Sequence, residues 1–437
     1  AVSSSTAPIG LADPAELEAF LDDYLAGQMA DHHIPGVAVS FVKDGEIFLS
    51  KGYGLADLAS QTPYDPEQTV FTAASIAKVM TAVSILQLAE QGRIDLHEDV
   101  TPYLGAVRLP QSYDQPLTFH HLLTHTDGFE ARMIGIAART EADLLPLADS
   151  LNLYMPTQLY APGEYMTYGN FATNLAGHLA AEVTARPFEQ LIADSIFTPL
   201  GMHSSTLEQR LSAEMTARWA TGYEYVHGEH VADPFFYIRH TPEGGLRTTT
   251  QDMSQFMLAL LAGGANGNGR ILSQESVNLM FTPQFRPQPQ MSGISYGLFE
   301  HLENGHQLFL RDGDGLGTRS RLVLFPAENL GFFISYNSGD STLRLDLVSA
   351  ILDRYYPDAS LAQSPGLSPT AADLRRFVGS YRPLQADVTT FGKSMYFFAQ
   401  QVEITAKDGF LYLTTTGMGG EESSPMGGFE GTSQWAA

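Results

Sequence analysis

The sequence lacks cysteine, has only five lysines among 437 residues, and contains no long apolar run. The missing cysteine excludes disulfides, thiolate nucleophiles and cysteine-ligated metal. A membrane helix needs roughly 18 consecutive apolar residues, so we expect no membrane span in this chain. Asp and Glu number 49 against 24 Lys and Arg, which gives a net charge of −25. This acidic surplus argues against nucleic acid as a partner, because a phosphate backbone would be repelled.

The remaining composition is that of a globular protein, with 44% hydrophobic and 11% aromatic residues. The length allows one large domain or two unequal ones. The chain starts Ala1-Val2-Ser3 rather than with Met. We therefore expect a processed N-terminus from which a secretory signal has been removed, and a periplasmic or secreted location. An engineered boundary would look the same.

The first part of the chain predicts a helix, a hairpin and a second helix. Apolar residues recur at helical spacing over 14–31, and Asp-Gly at 44–45 joins two β-rich runs, 36–42 and 46–50. A second amphipathic helix is predicted over 75–91. From 93 to 290 the patterns are mostly helical with long loops.

Strand patterns return at 307–310, 319–325 and 330–336, followed by a helical pattern over 341–355. Because strands lie at both ends of this part of the chain, they are expected to close one sheet around a helical insertion. The predicted fold class is α+β: an antiparallel sheet flanked by helices, with a large, mostly helical insertion at roughly 75–290.

The domain prediction is a catalytic domain over 1–358, a linker over 359–370 and a small β module over 371–437. The linker is rich in Ser, Pro and Gly. Short β-like runs at 379–382, 402–405 and 410–414 indicate the module. Its last stretch, 417–437, is rich in Gly and Ser and is expected to end without a closing strand, so the module looks incomplete.

The sharpest chemical pattern is Ser75-Ile76-Ala77-Lys78 at the start of the second helix. Residues i and i+3 share a helix face, so the Lys78 amine can reach the Ser75 hydroxyl. A serine becomes a good nucleophile when a neighbouring base takes its proton, and a lysine can serve if burial or a second cation lowers its pKa. The alternative is a capped helix with a solvated lysine.

Two further patterns lie downstream. Tyr168-Gly169-Asn170 is expected to project a phenol and an amide together from an extended loop, and a Tyr beside a cation can act as a base. Its alternative is a surface turn.

Arg311-Asp312-Gly313-Asp314 is expected at the end of a strand, with Gly313 letting a substrate backbone lie close. The main-chain N–H groups of Asp314 and Ser75 would then bind a developing oxyanion. Its alternative is a hairpin turn.

With these patterns the sequence resembles the serine β-lactamase-like superfamily, which includes penicillin-binding proteins, class C β-lactamases, family VIII esterases and D-aminopeptidases. The resemblance extends from about residue 15 to 356. It includes the runs Leu122-Leu123-Thr124-His125-Thr126-Asp127-Gly128-Phe129, Phe197-Thr198-Pro199-Leu200-Gly201-Met202 and Gly244-Gly245-Leu246-Arg247-Thr248-Thr249. The C-terminal piece resembles the start of the lipocalin-like module that follows this domain in longer relatives.

The resemblance implies that Ser75 is the acylated nucleophile, Lys78 its proton partner and Tyr168 the base that also serves the leaving group. It also implies that Asn170 holds Lys78 and a substrate amide, and that Arg311, Gly313 and Asp314 bind substrate. The chain departs from the family where Arg311 replaces a Lys or His. Arg311 keeps a positive charge for a substrate carboxylate and for Tyr168, but it cannot shuttle a proton.

Two other patterns were weighed against this one. Gly293-Ile294-Ser295-Tyr296-Gly297 matches the Gly-x-Ser-x-Gly elbow of α/β-hydrolases, but the residues after it read as strand rather than helix. The histidine pairs at 32–33 and 120–121 lack helical ligand spacing and a third ligand. We therefore predict neither a metal nor another cofactor.

The leading function is a serine acyl-hydrolase that forms an acyl-Ser75 intermediate, most simply a D-amino-acid peptidase or carboxylesterase of the penicillin-binding type. The alternatives are a β-lactamase proper and a non-catalytic binding or assembly protein on the same scaffold. The expected partner is a small-molecule or peptide substrate with a carboxylate or ester. The sequence leaves the oligomeric state open.

Overall fold

The computed structural model describes residues 10–132, 135–358, 374–381, 387–390, 401–407, 410–417 and 420–425. The helices are α1 Pro14–Asp31, α2 Ala77–Glu90, α3 Phe119–Leu123, α4 Leu147–Leu153, α5 Phe171–Thr184, α6 Phe188–Ile192, α7 Thr198–Leu200, α8 Ala213–Ala217, α9 Thr241–Gly244, α10 Thr250–Leu261, α11 Gln274–Met280 and α12 Thr342–Tyr355. Single turns of other helix types lie at Thr101–Tyr103, Glu141–Asp143, Ala193–Phe197 and Pro326–Glu328. None of the described helices is both long and apolar enough to cross a bilayer.

The strands alternate with these helices along the chain. They are β1 Gly36–Lys43, β2 Glu46–Asp57, β3 Thr62–Pro63, β4 Phe71–Ala74, β5 Ala137–Ala138, β6 Tyr223–Val226, β7 Glu229–Ala232, β8 Tyr237–Ile238, β9 Leu246–Thr248, β10 Phe299–Glu303, β11 His306–Gly315, β12 Thr318–Phe325, β13 Leu330–Tyr336, β14 Gly379–Tyr381, β15 Gln401–Lys407, β16 Phe410–Gly417 and β17 Gly420–Pro425.

One large sheet joins the two ends of the N-terminal part of the chain. Its strand order is β10-β11-β12-β13-β1-β2-β3, and β1 pairs antiparallel with β13, with Val37 opposite Tyr336. The predicted α+β fold, with distant segments closing one antiparallel sheet, is therefore confirmed. The predicted strand at 307–310 extends to residue 315 and includes the Arg311 motif within it.

The sheet is covered on both faces because its strands alternate their apolar side chains. Val37 and Val39 face a core formed with α1 and α12, including Leu21 and Leu347. Ala38, between them, faces the core of the helical region. The sheet thus separates a two-helix layer from the large helical region, and β11 lies where the sheet meets that region.

The short strand β4 connects the sheet to the helical region. It pairs with β9, with a bulge between Thr72 and Ala74, and ends immediately before Ser75. Helix α2 begins two residues later, at Ala77 rather than at Ser75 as the pattern predicted. The nucleophile candidate therefore lies in the turn between β4 and α2.

A second antiparallel sheet, in the order β14-β15-β16-β17, lies in the C-terminal part of the chain. Strand Gly420–Pro425 pairs antiparallel with Phe410–Gly417, within the stretch for which we expect no closing strand; the residues after 425 lie outside the described ranges. The predicted linker, 359–370, lies outside the described residues. Residues 387–390 contact the N-terminal region, where the buried Glu130 carboxylate accepts N–H groups from Val388 at 2.9 Å and Thr389 at 3.0 Å.

Candidate active site

Ser75 is presented by a strained turn. Ala74, immediately before it, has φ +46°, a left-handed conformation that costs a residue with a Cβ on the order of 1–3 kcal/mol. The Ser75 carbonyl accepts the N–H of Lys78 at 3.2 Å, which forms the first turn leading into α2. Ser75 is half-buried. The strain is concentrated at the residue that aims the candidate nucleophile.

Lys78 is buried against Ser75, with 2% of its surface exposed. Its Nζ donates to Ser75 Oγ at 2.9 Å and to the Glu243 main-chain oxygen at 2.9 Å. Burial lowers the pKa of Lys78; Tyr168 and Glu243 act against the decrease and Arg311 adds to it. A lysine with a lowered pKa beside a serine hydroxyl has the properties of the proton acceptor that the sequence pattern predicts.

Tyr168 reaches the same hydroxyl from the helical region. Its OH lies 3.1 Å from Ser75 Oγ, and Lys78 Nζ lies 5.2 Å from the ring centroid. Burial opposes ionisation of this phenol, but Arg311 and Lys78 outweigh it, so the pKa of Tyr168 is lowered. Ser75 therefore contacts two side chains whose pKa values are both shifted toward neutrality.

Arg311 lies within β11 and is 1% exposed. Its Nη2 donates to the Tyr168 hydroxyl at 2.8 Å and its Nε to the Ser75 carbonyl at 3.2 Å. Its Nη1 is buried and has no hydrogen-bond partner among the described residues. The guanidinium thus favours the ionised form of Tyr168 and fixes the nucleophile turn, using two of its five N–H groups.

The two acids beside Arg311 are paired with other arginines. Asp312 accepts both Nε and Nη2 of Arg321, at 2.6 and 2.8 Å. Asp314 accepts Nη2 of Arg344 at 2.7 Å. Alternation along the strand places these carboxylates on the face opposite Arg311, so they do not compete directly for its hydrogen bonds.

Gly313 is required by a close approach of the chain to itself. A Cβ at this position would lie 2.1 Å from the Ala73 carbonyl oxygen and 2.3 Å from Ser320 Oγ. We expected this glycine to admit a substrate backbone; the neighbour in the structure is β4, the strand that carries Ser75. The contact brings the backbone of residues 313–314 beside the nucleophile turn, where the Asp314 N–H was predicted to act.

Asn170 is the residue immediately before α5 and lies in helical conformation, φ −89° and ψ −32°. Its side chain makes no hydrogen bond within the described part of the chain, and Lys78 instead uses the Glu243 carbonyl. Asn170 lines a cavity of about 20 Å³, with Arg132, Tyr154, Asn174 and Glu243 among the other lining residues. Among the described residues nothing engages this amide, as is expected of a substrate-binding group.

Sequence reasoning missed His125, although it lies in the Leu-Leu-Thr-His-Thr run. Its ring packs edge-on against Tyr168 with centroids 4.7 Å apart. Burial, Arg311 and Lys78 together lower the pKa of His125 well below its ordinary value, so the ring is neutral. The sequence reasoning also missed Phe299, whose ring lies 5.3 Å from the Arg311 guanidinium carbon.

The serine of the elbow-like pattern, Ser295, is fully buried and donates to the Leu298 carbonyl at 3.1 Å. The element that follows is strand β10 rather than the helix that a nucleophile elbow requires. Within the ranges that the structure describes, no three or more His, Asp or Glu residues are grouped to hold a metal ion.

The arrangement is suited to acyl transfer. One hydroxyl, Ser75 Oγ, contacts an amine and a phenol that each can take its proton, while a guanidinium supplies positive charge. Lys78 comes from α2, Tyr168 from the loop before α5, and Arg311 from β11.

A family model described as Beta-lactamase matches residues 21–354. Protein flp of Staphylococcus aureus (strain N315) is 27% identical over 320 residues, covering 72% of this chain and 62% of that protein. PbpX of Bacillus subtilis (strain 168) is 30% identical over 246 residues, covering 55% of this chain and 57% of that protein. The match to these curated relatives thus spans about 60% of their length.

A solved structure described as the octameric penicillin-binding protein homologue from Pyrococcus abyssi has the same fold. Its TM-score is 0.67 at 22% identity, and the superposition covers 93% of this chain and 90% of that one. The likeness extends over both the large sheet and the helical region.

Proposed function

The chain belongs to the beta-lactamase family, and from that premise we propose that it is a serine acyl-hydrolase working through a covalent acyl-Ser75 intermediate. The observation that supports this most strongly is the convergence of Lys78 Nζ, at 2.9 Å, and the Tyr168 hydroxyl, at 3.1 Å, on Ser75 Oγ. A hydroxyl flanked by two groups with lowered pKa values is ready to lose its proton as it attacks.

In the first half-reaction the Ser75 oxygen forms a bond to the substrate carbonyl carbon, and its proton passes to the Lys78–Tyr168 pair. We assign the proton to both groups together, because the macroscopic pKa values of strongly interacting groups belong to the pair. The carbonyl oxygen becomes an oxyanion, and we expect the N–H groups of Ser75 and Asp314 to bind it. The leaving group departs with the proton, which Tyr168 is positioned to deliver.

In the second half-reaction a water replaces the leaving group. It loses a proton to the same pair while its oxygen bonds to the acyl carbon, and the Ser75 oxygen leaves and regains its proton. The released product is a carboxylic acid. A non-catalytic binding protein on this scaffold would not need this convergence. In such a protein the buried lysine and arginine would destabilise the fold without contributing to activity.

Esters are the substrate class that the site supports best, and the corresponding activity is that of a carboxylesterase. Arg311 directs two hydrogen bonds to Tyr168 and Ser75 and is almost fully buried, so it acts on the protein's own groups before it acts on a substrate. A neutral ester requires no further cation.

D-amino-acid peptides or β-lactams are the second candidate class. The unpartnered Arg311 Nη1 favours them because a substrate carboxylate would satisfy that donor, and the unused Asn170 amide favours them because it would bind a substrate amide.

A substrate panel tests the proposal. Wild type is expected to hydrolyse p-nitrophenyl acetate or butyrate faster than D-alanyl-p-nitroanilide or nitrocefin. Ser75→Ala should abolish turnover, whereas the matched control Ser295→Ala should retain it. Equal turnover in Ser75→Ala and wild type would contradict the proposal. Preferred cleavage of nitrocefin would move the enzyme to the β-lactamase class.

A further inference from the structure

The short helix α9 packs between α2, which carries Lys78, and α5, which follows Asn170. Lys78 Nζ and Thr81 Oγ1, one turn apart on α2, donate to the carbonyls of Glu243 and Pro242, both at 2.9 Å. On its other side, Pro242 packs against Gly177 of α5 so closely that a Cβ there would lie 2.4 Å from the Pro242 Cγ. The Glu243 carbonyl is therefore held at a defined position on Lys78.

The Glu243 carboxylate is buried, with 2% of the residue exposed. Its Oε2 accepts Asn174 Nδ2 at 2.9 Å, and Asn174 lies on α5 four residues after Asn170. Its Oε1 has no hydrogen-bond partner among the described residues and lies 3.6 Å from His240 Nδ1, while His240 Nε2 lies 2.6 Å from Ser150 Oγ. An incompletely satisfied buried carboxylate is destabilising, so its presence calls for a role.

The charged groups around Lys78 indicate what this carboxylate does. Arg311 from β11 adds a second cation, and His125 from the loop after α3 faces the pair as a neutral ring. Of the groups that the structure describes, Tyr168, when ionised, and Glu243 raise the pKa of Lys78. Glu243 is itself faced by His240 and, across the 20 Å³ cavity, by Arg132. Among the described residues, the Glu243 carboxylate thus opposes the charges of Lys78 and Arg311 from outside the catalytic trio.

We propose that Glu243 is a positioning residue of this site: its carbonyl holds the Lys78 amine on Ser75, and its buried carboxylate sets the proton balance of the Lys78–Tyr168 pair. This inference rests on the proposed acyl-hydrolase function for its catalytic consequence. Without the carboxylate, Arg311 and burial would drive the pair to release its proton at lower pH.

The proton balance can be measured directly because the chain has only five lysines. The ¹³Cε signals of labelled lysine are followed against pH, and Lys78 is assigned by the signal missing in Lys78→Arg. Glu243→Gln keeps the shape and a carbonyl for Asn174 but removes the charge. The Lys78 pKa is expected to fall by about one unit, with Glu243→Asp intermediate between Glu243→Gln and wild type.

Glu189→Gln is the matched control, because the Glu189 carboxylate accepts Thr241 Oγ1 of the same turn at 2.6 Å but does not face Lys78. It should leave the Lys78 titration unchanged. The acid limb of the kcat/KM profile for a p-nitrophenyl ester should move to lower pH in Glu243→Gln by the same shift, with KM nearly constant.

An unchanged Lys78 titration in Glu243→Gln would overturn the role of Glu243 even if esters are hydrolysed. If Glu243→Gln folds poorly, Glu243→Asp decides the same question. A partial fall of the Lys78 pKa in Glu243→Asp would support the role of Glu243, and an unchanged Lys78 pKa would overturn it. Failure of the proposed function looks different: wild type would neither hydrolyse esters nor be acylated at Ser75, while the Lys78 titration would still respond to Glu243.

Discussion

The Arg311 guanidinium donates through Nη2 to the Tyr168 hydroxyl across 2.8 Å, and its charge lies 4.9 Å from the centre of the same ring. Arg311 comes from the sheet and Tyr168 from the helical region, so the two halves of the fold meet at this contact. The contact lowers the pKa of the phenol beside Ser75. Because Nε donates to the Ser75 carbonyl as well, two of the three guanidinium nitrogens bond to the protein rather than to a substrate.

Arg311→Met is expected to move the acid limb of kcat/KM to higher pH. Removal of the cation raises the pKa of both Tyr168 and Lys78, so the pair must be brought to higher pH before it accepts the Ser75 proton. At pH 7 the rate with a neutral p-nitrophenyl ester should fall on the order of 10- to 100-fold. The measurement is the pH profile of kcat/KM, with Arg319→Met as the control. Arg319→Met removes an arginine that is paired with Asp314, and it should leave the acid limb at the wild-type pH. A limb that does not move, with a raised KM only for carboxylate-bearing substrates, would show that Arg311 serves the substrate alone.

Asn170→Ala is expected to discriminate between amide and ester substrates. The Asn170 side chain makes no hydrogen bond within the described ranges, so its loss should leave Lys78 on the Glu243 carbonyl at 2.9 Å. If the amide binds the substrate's own amide, kcat/KM for D-alanyl amides should fall about tenfold, equivalent to about 1.4 kcal/mol, while that for acetate esters changes less than threefold. Equal losses for both substrate types would contradict a specific amide contact.

Gly313→Ala is expected to destabilise the protein and the site together. The added Cβ would overlap the Ala73 carbonyl and Ser320 Oγ, so β4 must shift, at a cost of roughly 1–3 kcal/mol. Urea unfolding should show the loss, and ester turnover should fall because β4 carries Ser75. Gly27→Ala in α1, where a Cβ meets nothing within 4 Å, should instead raise stability by about 0.5–1 kcal/mol. A Gly313→Ala protein as stable and active as wild type would show that the close approach is not required.

Asp127→Asn is expected to remove a pH dependence of stability. Burial raises the pKa of Asp127 to about 7, whereas an unfolded Asp titrates near 3.9. Between these values the folded state binds the proton and the unfolded state does not, so stability falls as pH rises from about 4 to 7. Asp127→Asn should therefore unfold at a higher urea concentration than wild type at pH 8, and the two should converge toward pH 4. Parallel stabilities at both pH values would contradict a raised pKa.

Much of this architecture is readable from local patterns. Val37, Val39 and Phe41 alternate with Ala38 and Ser40, which is the period of a strand with differently lined faces, and the Asp44-Gly45 turn fixes the hairpin. Ser75 and Lys78 are predictable as a pair because they are one helical turn apart. These features depend on residues that are neighbours in sequence.

Other features of the site depend on tertiary packing and leave no local signal. Glu243 holds Lys78 through a main-chain carbonyl, and any residue type supplies that atom. Arg311 is buried by contacts with segments more than a hundred residues away, so its two internal hydrogen bonds could not be inferred from the motif. Gly313 predicts a close approach, but only the fold identifies the approaching chain as β4.

Mass spectrometry of the acylated protein tests the central claim most directly. Brief exposure to a fluorophosphonate, or to a slowly hydrolysed ester or penicillin, should add one probe mass to the wild-type chain, and the peptide map should place it on Ser75. Tyr168→Phe should acquire the same adduct more slowly, and Ser295→Ala at the wild-type rate. An adduct that persists in Ser75→Ala, or none in a folded wild-type protein treated with each of these probes, would contradict the account.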